Sequence, residues 1–149
     1  MTAKNHHVES FSVSSDPSLI DIEHVHRFLS QDSYWAKHVP LEVVRRSVEG
    51  SLSFGLFKDG RQVGFARVIT DRATFGYLAD VFIDPDRRGL GLSKMLLEEV
   101  LAHPDLQGLR RFMLMTSDAH GLYGMFGFTS IPEPEKMMQR HNPVVYSPK

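Results

Sequence analysis

Three apolar runs follow one another between Ser51 and Ile83, and they constrain the fold more than any other part of the chain. The first two are joined at Asp59-Gly60, a dipeptide that suits the positive φ angles of a tight hairpin turn. The third run, "TFGYLADVFI" from Thr74, is followed after a short loop by a helical pattern. Three strands followed by a helix favour a mixed α/β domain built on one central sheet.

The flanking segments predict the remaining elements of this domain. The segment "HVESFSV", with Val8, Phe11 and Val13, alternates imperfectly and predicts a first strand. Asp16-Pro17 is typical of a helix start, and a second short helix is predicted from Pro40. Later segments predict a strand "RRFMLMT", a short helix "DAHGLYGMFG", a strand "FTSI" and an ambiguous last strand in the tail "KMMQRHNPVVY". The predicted order is β-α-α-β-β-β-α-β-α-β in one domain over residues 1–149.

Composition excludes several classes of function. The chain has 149 residues and a formal net charge of −1, so no basic excess favours binding to nucleic acid or to an anionic membrane. It has no cysteine, which excludes disulfides, thiolate metal sites and a cysteine acyl-enzyme. Histidine pairs at metal spacing with a third ligand are absent, so we expect no metal. No signal pattern or membrane-length apolar run is found, which makes a cytoplasmic protein the expectation.

The loop after the third run places positive charge and glycine where a helix begins. The first N–H groups of a helix lack intrahelical partners, and the helix dipole adds partial positive charge there. Gly89 and Gly91 let the backbone approach a ligand, while Arg87, Arg88 and Lys94 add charge. This grouping suits a diphosphate better than a single carboxylate.

The spacing of this loop distinguishes three glycine motifs. A Walker P-loop requires a different spacing, and the dinucleotide fingerprint requires a small residue where Lys94 stands. The pattern Arg/Gln-x-x-Gly-x-Gly/Ala instead matches Arg88-Gly89-Leu90-Gly91-Leu92-Ser93, with serine as the small last residue.

Two segments together carry a family resemblance. The segment "YLADVFIDPDRRGLGLSKMLL" resembles the acetyl-CoA signature of the GNAT (Gcn5-related N-acetyltransferase) superfamily. The later "DAHGLYGMFGF" resembles the second landmark of that family, a helix with a tyrosine before a Gly-Phe pair. The resemblance implies a mostly antiparallel central sheet flanked by helices and transfer of acetyl from acetyl-CoA to a small-molecule or peptide amine. It also suggests a homodimer, for which the apolar "PVVY" of the tail offers a strand partner.

The resemblance also implies which residues bind the acetyl-CoA co-substrate. Backbone N–H groups of the glycine loop would hold the CoA diphosphate, and pantetheine would lie along the preceding strand like an extra strand. The implied cofactor-binding residues are Val81, Phe82, Ile83, Arg87, Arg88, Gly89, Leu90, Gly91, Leu92, Ser93 and Lys94.

Acetyl transfer from a thioester to an amine requires a neutral amine and an acid for the departing thiolate. An alkyl ammonium has a pKa near ~10.4, so a base or a water that removes its proton is useful at neutral pH. Without cysteine, direct attack in a ternary complex is the simplest route. The resemblance places Tyr123 beside the CoA sulfur, where a phenol can act as the acid; the alternative is a tyrosine that packs at the sheet edge.

Asp80 is the candidate base, or else an anchor for the amine. It interrupts an apolar strand, and burial of an unpaired carboxylate is costly unless it serves a function. Strand alternation predicts that Leu78, Asp80 and Phe82 share one face. Three alternatives remain open: Asp80 caps a loop N–H or pairs with Arg67, Tyr77 occupies the position of the base, or a water serves as the base.

The acceptor side is predicted from the resemblance, which places the loop between the first two helices over the acceptor pocket. Tyr34 and Trp35 on this loop, with Tyr77, are the predicted substrate-binding residues. His24 and His26 are interpreted as helix-surface residues. Two other functions are compatible with the sequence: a catalytically idle acyl-CoA-binding or sensor module, and a regulatory domain that binds a nucleotide at the glycine loop.

Overall fold

A five-stranded sheet forms the centre of the molecule, whose computed structural model describes residues 10–147. The strands are β1 (Phe11–Ser14), β2 (Leu52–Lys58), β3 (Arg61–Thr70), β4 (Phe75–Ile83) and β5 (Arg111–Leu114). They lie in the order β1-β2-β3-β4-β5, antiparallel except for the parallel pair β4 and β5. The predicted mostly antiparallel sheet is confirmed. Val8, at the start of the predicted first strand, lies outside the described residues.

Helices cover both faces of the sheet. They are α1 (Ile22–Arg27), which continues as a π-helical turn Phe28–Asp32, α2 (Leu41–Glu49), α3 (Leu92–Ala102) and α4 (His120–Gly124). On one face, α3 packs against the sheet through Leu92, Leu96, Leu97 and Val100. On the other face, α1 and α2 form a second cluster with Phe65 and Phe82 of the sheet. The α/β architecture predicted from the element order is therefore confirmed.

The hairpin between β2 and β3 forms at the predicted dipeptide. Asp59 and Gly60 have φ values of 51° and 81°, both in the left-handed region that a tight two-residue turn of this type requires. Lys58 and Arg61 pair directly across the turn. The local sequence therefore determines the register of β2 and β3 at this end of the sheet.

The first helix begins later than the sequence predicts. The carboxylate of Asp16 caps only a 3₁₀ turn, Pro17–Leu19, and Ile20 is extended with ψ 125°. The α-helix begins after Asp21, whose Oδ1 accepts the His24 N–H at 3.0 Å. The N–H of Asp21 donates to Gln62 Oε1 at 2.8 Å instead of to a backbone carbonyl. The hydrogen bond from Asp21 to Gln62 on β3 therefore lies at the break between the 3₁₀ turn and α1.

Strand β4 contains an irregularity that sequence alternation does not predict. Leu78 packs in the α3 cluster, whereas Phe82 packs in the α1–α2 cluster, so the expectation that they share a face is wrong. The pairing of β4 with β3 shifts between these positions, because β4 has one extra residue there. Asp80, with φ 54°, lies at this bulge. The extra residue reverses which side chains of β4 face α1 and α2.

The chain after α4 forms no strand within the described residues, so the strands predicted at "FTSI" and in the tail are wrong. Pro132 and Pro134 each remove a backbone donor, and a 3₁₀ turn, Pro134–Lys136, replaces the extended pairing. Apolar tail residues remain exposed, with Met138 at 97% and Val144 at 66%. The homodimer with the tail as strand partner stays a prediction.

The packing of α3 generates a stability prediction. Leu96 is fully buried, so Leu96→Ala is expected to lower the free energy of unfolding by about 2–5 kcal/mol through lost burial and a cavity. Leu19→Ala, at a leucine that is 53% exposed, is the matched control and is expected to change it by less than about 0.5 kcal/mol. Urea unfolding measures both values; equal effects would contradict the assignment of α3 to the core.

Candidate active site

The N-terminus of α3 opens onto a cleft. The chain leaves β4 through a 3₁₀ turn, Pro85–Arg87, and reaches the helix through Gly89 and Gly91, with φ values of 83° and 77°. Gly91 is the N-cap residue of α3, and its left-handed conformation is strained for any residue with a Cβ. The two glycines thus set the path by which the backbone reaches the start of the helix.

A cavity of about 230 Å³ lies at this helix start, and most of the predicted cofactor-binding residues line it. It is lined by Ile83, Arg87, Arg88, Gly89, Gly91, Leu92, Ser93, Lys94 and Leu122. Of the other predicted residues, Leu90 is exposed, Val81 packs against the α3 cluster, and the Phe82 ring stacks on Phe28 at 4.0 Å. The side chain of Phe82 therefore belongs to the core.

Leu122 is a lining residue that the sequence analysis missed. The available signal was its position directly before Tyr123 in "HGLYG". Leu122 brings α4 to the wall of the cleft that α3 opens. The two segments that carry the family resemblance therefore meet at one site.

Tyr123 is held on α4 by packing and backbone hydrogen bonds. Its N–H donates to the Ala119 carbonyl at 3.1 Å, its carbonyl accepts the Phe128 N–H at 3.2 Å, and its ring meets that of Phe128 at 6.1 Å. Burial raises the pKa of the Tyr123 phenol, and the nearby groups Asp118 and Tyr34 raise it further. The phenol is therefore protonated throughout the neutral range and is able to donate a proton.

The loop between α1 and α2 is fastened at two points. Trp35 Nε1 donates to Asp80 Oδ1 on β4 at 2.8 Å. Ser117 Oγ, which follows β5, donates to the Tyr34 hydroxyl at 2.7 Å. The two aromatic rings pack edge to face with centroids 5.0 Å apart. This loop therefore links β4 to the segment that leads into α4, and it brings the predicted residues of both catalysis and acceptor binding together.

Asp80 is a paired carboxylate. Arg67 Nε donates to its Oδ2 at 2.6 Å, and Arg67 Nη1 donates to Ser51 Oγ at 3.0 Å. The side chain of Asp80 is only 10% exposed. The pairing with Arg67 that the sequence left open is therefore present, and Trp35 is a second donor to the same carboxylate.

The charges of Asp80 and Arg67 act on the phenol of Tyr77. Burial raises the pKa of the Tyr77 phenol, the charge of Asp80 raises it further, and the charge of Arg67 partly offsets these effects. A phenol with a raised pKa is a weaker candidate for a neutral-pH base than an ionised carboxylate.

His24 was interpreted as a helix-surface residue, and this is wrong. It is only 6% exposed, and its ring nitrogens lie 2.7 Å from Asp84 Oδ1 and 2.9 Å from Gln62 Nε2. The signal was helical phase: His24 lies four residues before Phe28, which is buried. Its partner Asp84 immediately precedes the 3₁₀ turn that leads into the cleft.

Residues 10–147 contain no group of three or more His, Cys, Asp or Glu side chains that could hold a metal ion. None of the helices in this part of the chain is long and apolar enough to cross a membrane.

The chain contains a single tryptophan, which makes the bond between Trp35 and Asp80 measurable. Asp80→Ala is expected to increase acrylamide quenching of tryptophan fluorescence, because the indole loses its partner on β4. Asp105→Ala is the matched control, since it removes a carboxylate that pairs with Arg72 instead. Equal quenching in the wild type and Asp80→Ala would show that this bond does not hold the loop.

Comparison with known proteins agrees with this geometry. A sequence profile described as the acetyltransferase (GNAT) family matches residues 19–128. A crystal structure assigned to the GNAT family of acetyltransferases, from Xanthomonas campestris pv. campestris, is 59% identical, with a TM-score of 0.90 over 93% of this chain and 97% of that chain. A Gibberella zeae protein described as an acetyltransferase is 34% identical over 76% of this chain and 76% of its own length.

A more distant structure shares the fold alone. A Clostridium acetobutylicum acetyltransferase solved with acetyl-CoA is 13% identical, with a TM-score of 0.64 over 88% of this chain and 94% of that chain. The profile match and the two nearer relatives carry the assignment. The chain therefore belongs to the acetyltransferase (GNAT) family.

Proposed function

We propose that the protein is an N-acetyltransferase that transfers acetyl from acetyl-CoA to a primary amine by direct attack in a ternary complex. One observation carries the proposal: the glycine-capped start of α3 and the helix of Tyr123 border the same cleft, through Leu122. An anion-binding helix terminus and a protonated phenol on the helix that borders the same cleft would suit a diphosphate-bearing thioester whose sulfur must be protonated on departure.

The start of α3 supports binding of the CoA diphosphate. The first N–H groups of α3 have no partner within the helix, and the helix dipole favours negative charge there. The cationic side chains of Arg87, Arg88 and Lys94 line the same cavity. Their charges add to the attraction for phosphate at a site that is open to solvent.

The divergence of β4 and β5 supports the expected position of pantetheine. The two strands pair only from Phe75 to Leu78 on β4, although β4 continues to Ile83. The backbone of β4 beyond Leu78 pairs with β3 on one side. Its other edge is available to the amides of pantetheine, which would hydrogen-bond to it as an added strand does.

The proposed reaction forms a bond from the amine nitrogen to the acetyl carbon and breaks the bond from that carbon to sulfur. One ammonium proton leaves before or during attack, and Tyr123 donates its proton to the departing thiolate. The second proton that the nitrogen loses as the amide forms restores the phenol of Tyr123, through water. The raised pKa of Tyr123 favours this role because it keeps the phenol protonated. The product amide and CoA then leave together with no covalent intermediate on the protein.

Asp80 is our candidate for handling the amine. Each of its oxygens accepts one hydrogen bond, from Trp35 and from Arg67, and each oxygen keeps a further lone pair. The carboxylate would either take the ammonium proton, directly or through water, or hold the ammonium in place. These two roles differ in their dependence on pH.

Binding of CoA generates the first functional prediction. Gly91→Val forces a Cβ onto a left-handed residue at the start of α3, so the loop must change path and acetyl-CoA affinity is expected to fall by at least about a hundredfold. Gly60→Val is the matched control, because it imposes a similar strain at the β2–β3 turn. Calorimetry measures both affinities, with ATP as a competing ligand.

Wild-type affinity for acetyl-CoA in Gly91→Val would contradict the location of the site. Tighter binding of ATP than of acetyl-CoA by the wild type would instead favour a nucleotide-binding regulator. Loss of binding in both glycine variants would point to general destabilisation, and the thermal unfolding of each variant distinguishes that outcome.

Catalysis generates the second prediction. Tyr123→Phe is expected to lower kcat about a hundredfold while acetyl-CoA affinity stays nearly unchanged, because the phenol acts as the thiolate departs. The wild type is expected to keep its kcat up to about pH 10, since the raised pKa of Tyr123 delays loss of the proton beyond the usual tyrosine value. Steady-state kinetics from about pH 6 to about pH 10 measure both effects.

Asp80→Asn distinguishes the two roles of the carboxylate in the same experiment. If Asp80 is the base, kcat/KM of the variant falls most at low pH and recovers towards the pKa of the amine, where neutral amine is abundant. If it is an anchor, the profile of the variant runs parallel to that of the wild type. An unchanged rate at every pH would remove Asp80 from the reaction altogether.

A further inference from the structure

His24 belongs to a closed set of hydrogen bonds that connects α1 with the entrance of the cleft. We name this set, formed by Asp21, His24, Gln62 and Asp84, the His24 network. His24 is buried on α1, Gln62 is buried on β3, and Asp84 follows the last residue of β4. Three separate elements therefore meet at one imidazole ring.

The directions of these hydrogen bonds are fixed by chemistry. The backbone N–H of Asp21 donates to Gln62 Oε1 at 2.8 Å, so the other end of the Gln62 amide, Nε2, faces His24 Nδ1 at 2.9 Å. Because an amide nitrogen only donates, Nδ1 accepts and the ring proton lies on Nε2. Nε2–H therefore donates to Asp84 Oδ1 at 2.7 Å. The neutral tautomer of His24 satisfies every partner in the network.

Asp84 is the residue at which β4 turns into the cleft. Its N–H donates to the Val63 carbonyl at 2.8 Å, and its carbonyl accepts the Arg87 N–H at 2.9 Å. The first bond continues the sheet, and the second closes the 3₁₀ turn, Pro85–Arg87. Beyond this turn the chain runs directly to Gly89 and Gly91. The orientation of Asp84 therefore sets the direction in which the anion-binding loop leaves the sheet.

We propose that His24 is a positioning residue for acetyl-CoA binding: through Asp84 it holds the loop that leads to the start of α3 in its binding conformation. This inference rests on the proposed function of that loop. A loop that occupies the binding conformation only part of the time binds with an affinity lowered by that fraction. A partly buried hydrogen bond to a carboxylate at the base of the loop reduces this loss, because the loop is ordered before the ligand arrives.

A merely structural role for His24 makes a different prediction. If the network only stabilised α1, its loss would lower thermal stability and would change the KM for acetyl-CoA and the KM for the amine to a similar extent. A positioning role instead raises the KM for acetyl-CoA while kcat at saturation and the KM for the amine stay within about twofold of wild type. A higher KM for acetyl-CoA with an unchanged kcat and an unchanged KM for the amine is a result that a loss of stability alone does not produce.

The test compares two substitutions of one residue by calorimetry with CoA. His24→Leu removes both ring nitrogens and is expected to raise the Kd for CoA about tenfold. His24→Gln is expected to stay near wild type, because its side-chain amide supplies one donor for Asp84 and one acceptor for Gln62. His26→Leu is the matched control on the same helix. His26 bonds to the Val39 carbonyl and not to any member of the His24 network. Loss of its side chain is therefore expected to leave CoA affinity unchanged.

Substitutions of Asp84 keep the test decisive if His24→Leu fails to fold. The side chain of Asp84 is 26% exposed and that of His24 is 7% exposed, so Asp84→Ala is expected to disturb the core less than His24→Leu does. Asp84→Ala is expected to weaken CoA binding as much as His24→Leu does, and the double variant is expected to be no weaker than either alone. Asp84→Asn, which keeps an acceptor for His24 Nε2–H, is expected to stay near wild type.

Wild-type CoA affinity in folded His24→Leu or in Asp84→Ala would overturn the inference, as would additive losses in the double variant. Failure of the proposed function looks different, because the wild type itself would then bind no CoA. Normal binding by the wild type with equal losses in His24→Leu and His26→Leu would assign the effect to α1 as a whole, and this outcome would also overturn the inference.

Discussion

The bulge at Asp80 is the backbone feature on which the site depends most. A left-handed conformation costs a non-glycine residue on the order of 1–3 kcal/mol, and the surrounding contacts of Asp80 must offset this cost. Arg67 and Trp35 do so with two hydrogen bonds to the carboxylate. Because the strand carries one extra residue here, Phe82 turns into the α1–α2 cluster. The same irregularity lies just beyond the point at which β4 stops pairing with β5.

Two parts of the proposed site are held in place by hydrogen bonds and by the path of the backbone. On the proposed cofactor side, glycines and a helix terminus provide backbone donors, and the hydrogen bond from His24 to Asp84 lies where the loop begins. On the proposed acceptor side, the loop of Tyr34 and Trp35 is hydrogen-bonded to β4 and to the segment before α4. Strand β4 is common to both parts, because it contains Asp80, the partner of Trp35, and ends next to Asp84, where the loop to α3 begins. This arrangement suits a reaction in which two substrates must be held together for direct attack.

The sequence predicted those parts of the molecule that depend on local chemistry. The Asp59-Gly60 hairpin, the glycine loop and the helix of Tyr123 each follow from neighbouring residues, and all three were placed correctly along the chain. The bulge at Asp80, the late start of α1 and the burial of His24 depend on partners up to 60 residues away. No periodicity within one segment encodes such partners, although the helical phase of His24 gave a partial signal.

Transfer of an acetyl group to an amine is the proposed activity of this protein. It is tested most directly by mass spectrometry of the acetylated product after incubation with acetyl-CoA and each of four amine classes. These are a small primary amine, a peptide N-terminus, a peptide lysine and an amino sugar. Amine-dependent acetylation of at least one class, lost in Tyr123→Phe, is the predicted result. Acetyl-CoA that binds but is released unchanged with every amine class would contradict the account and identify an idle acyl-CoA-binding module.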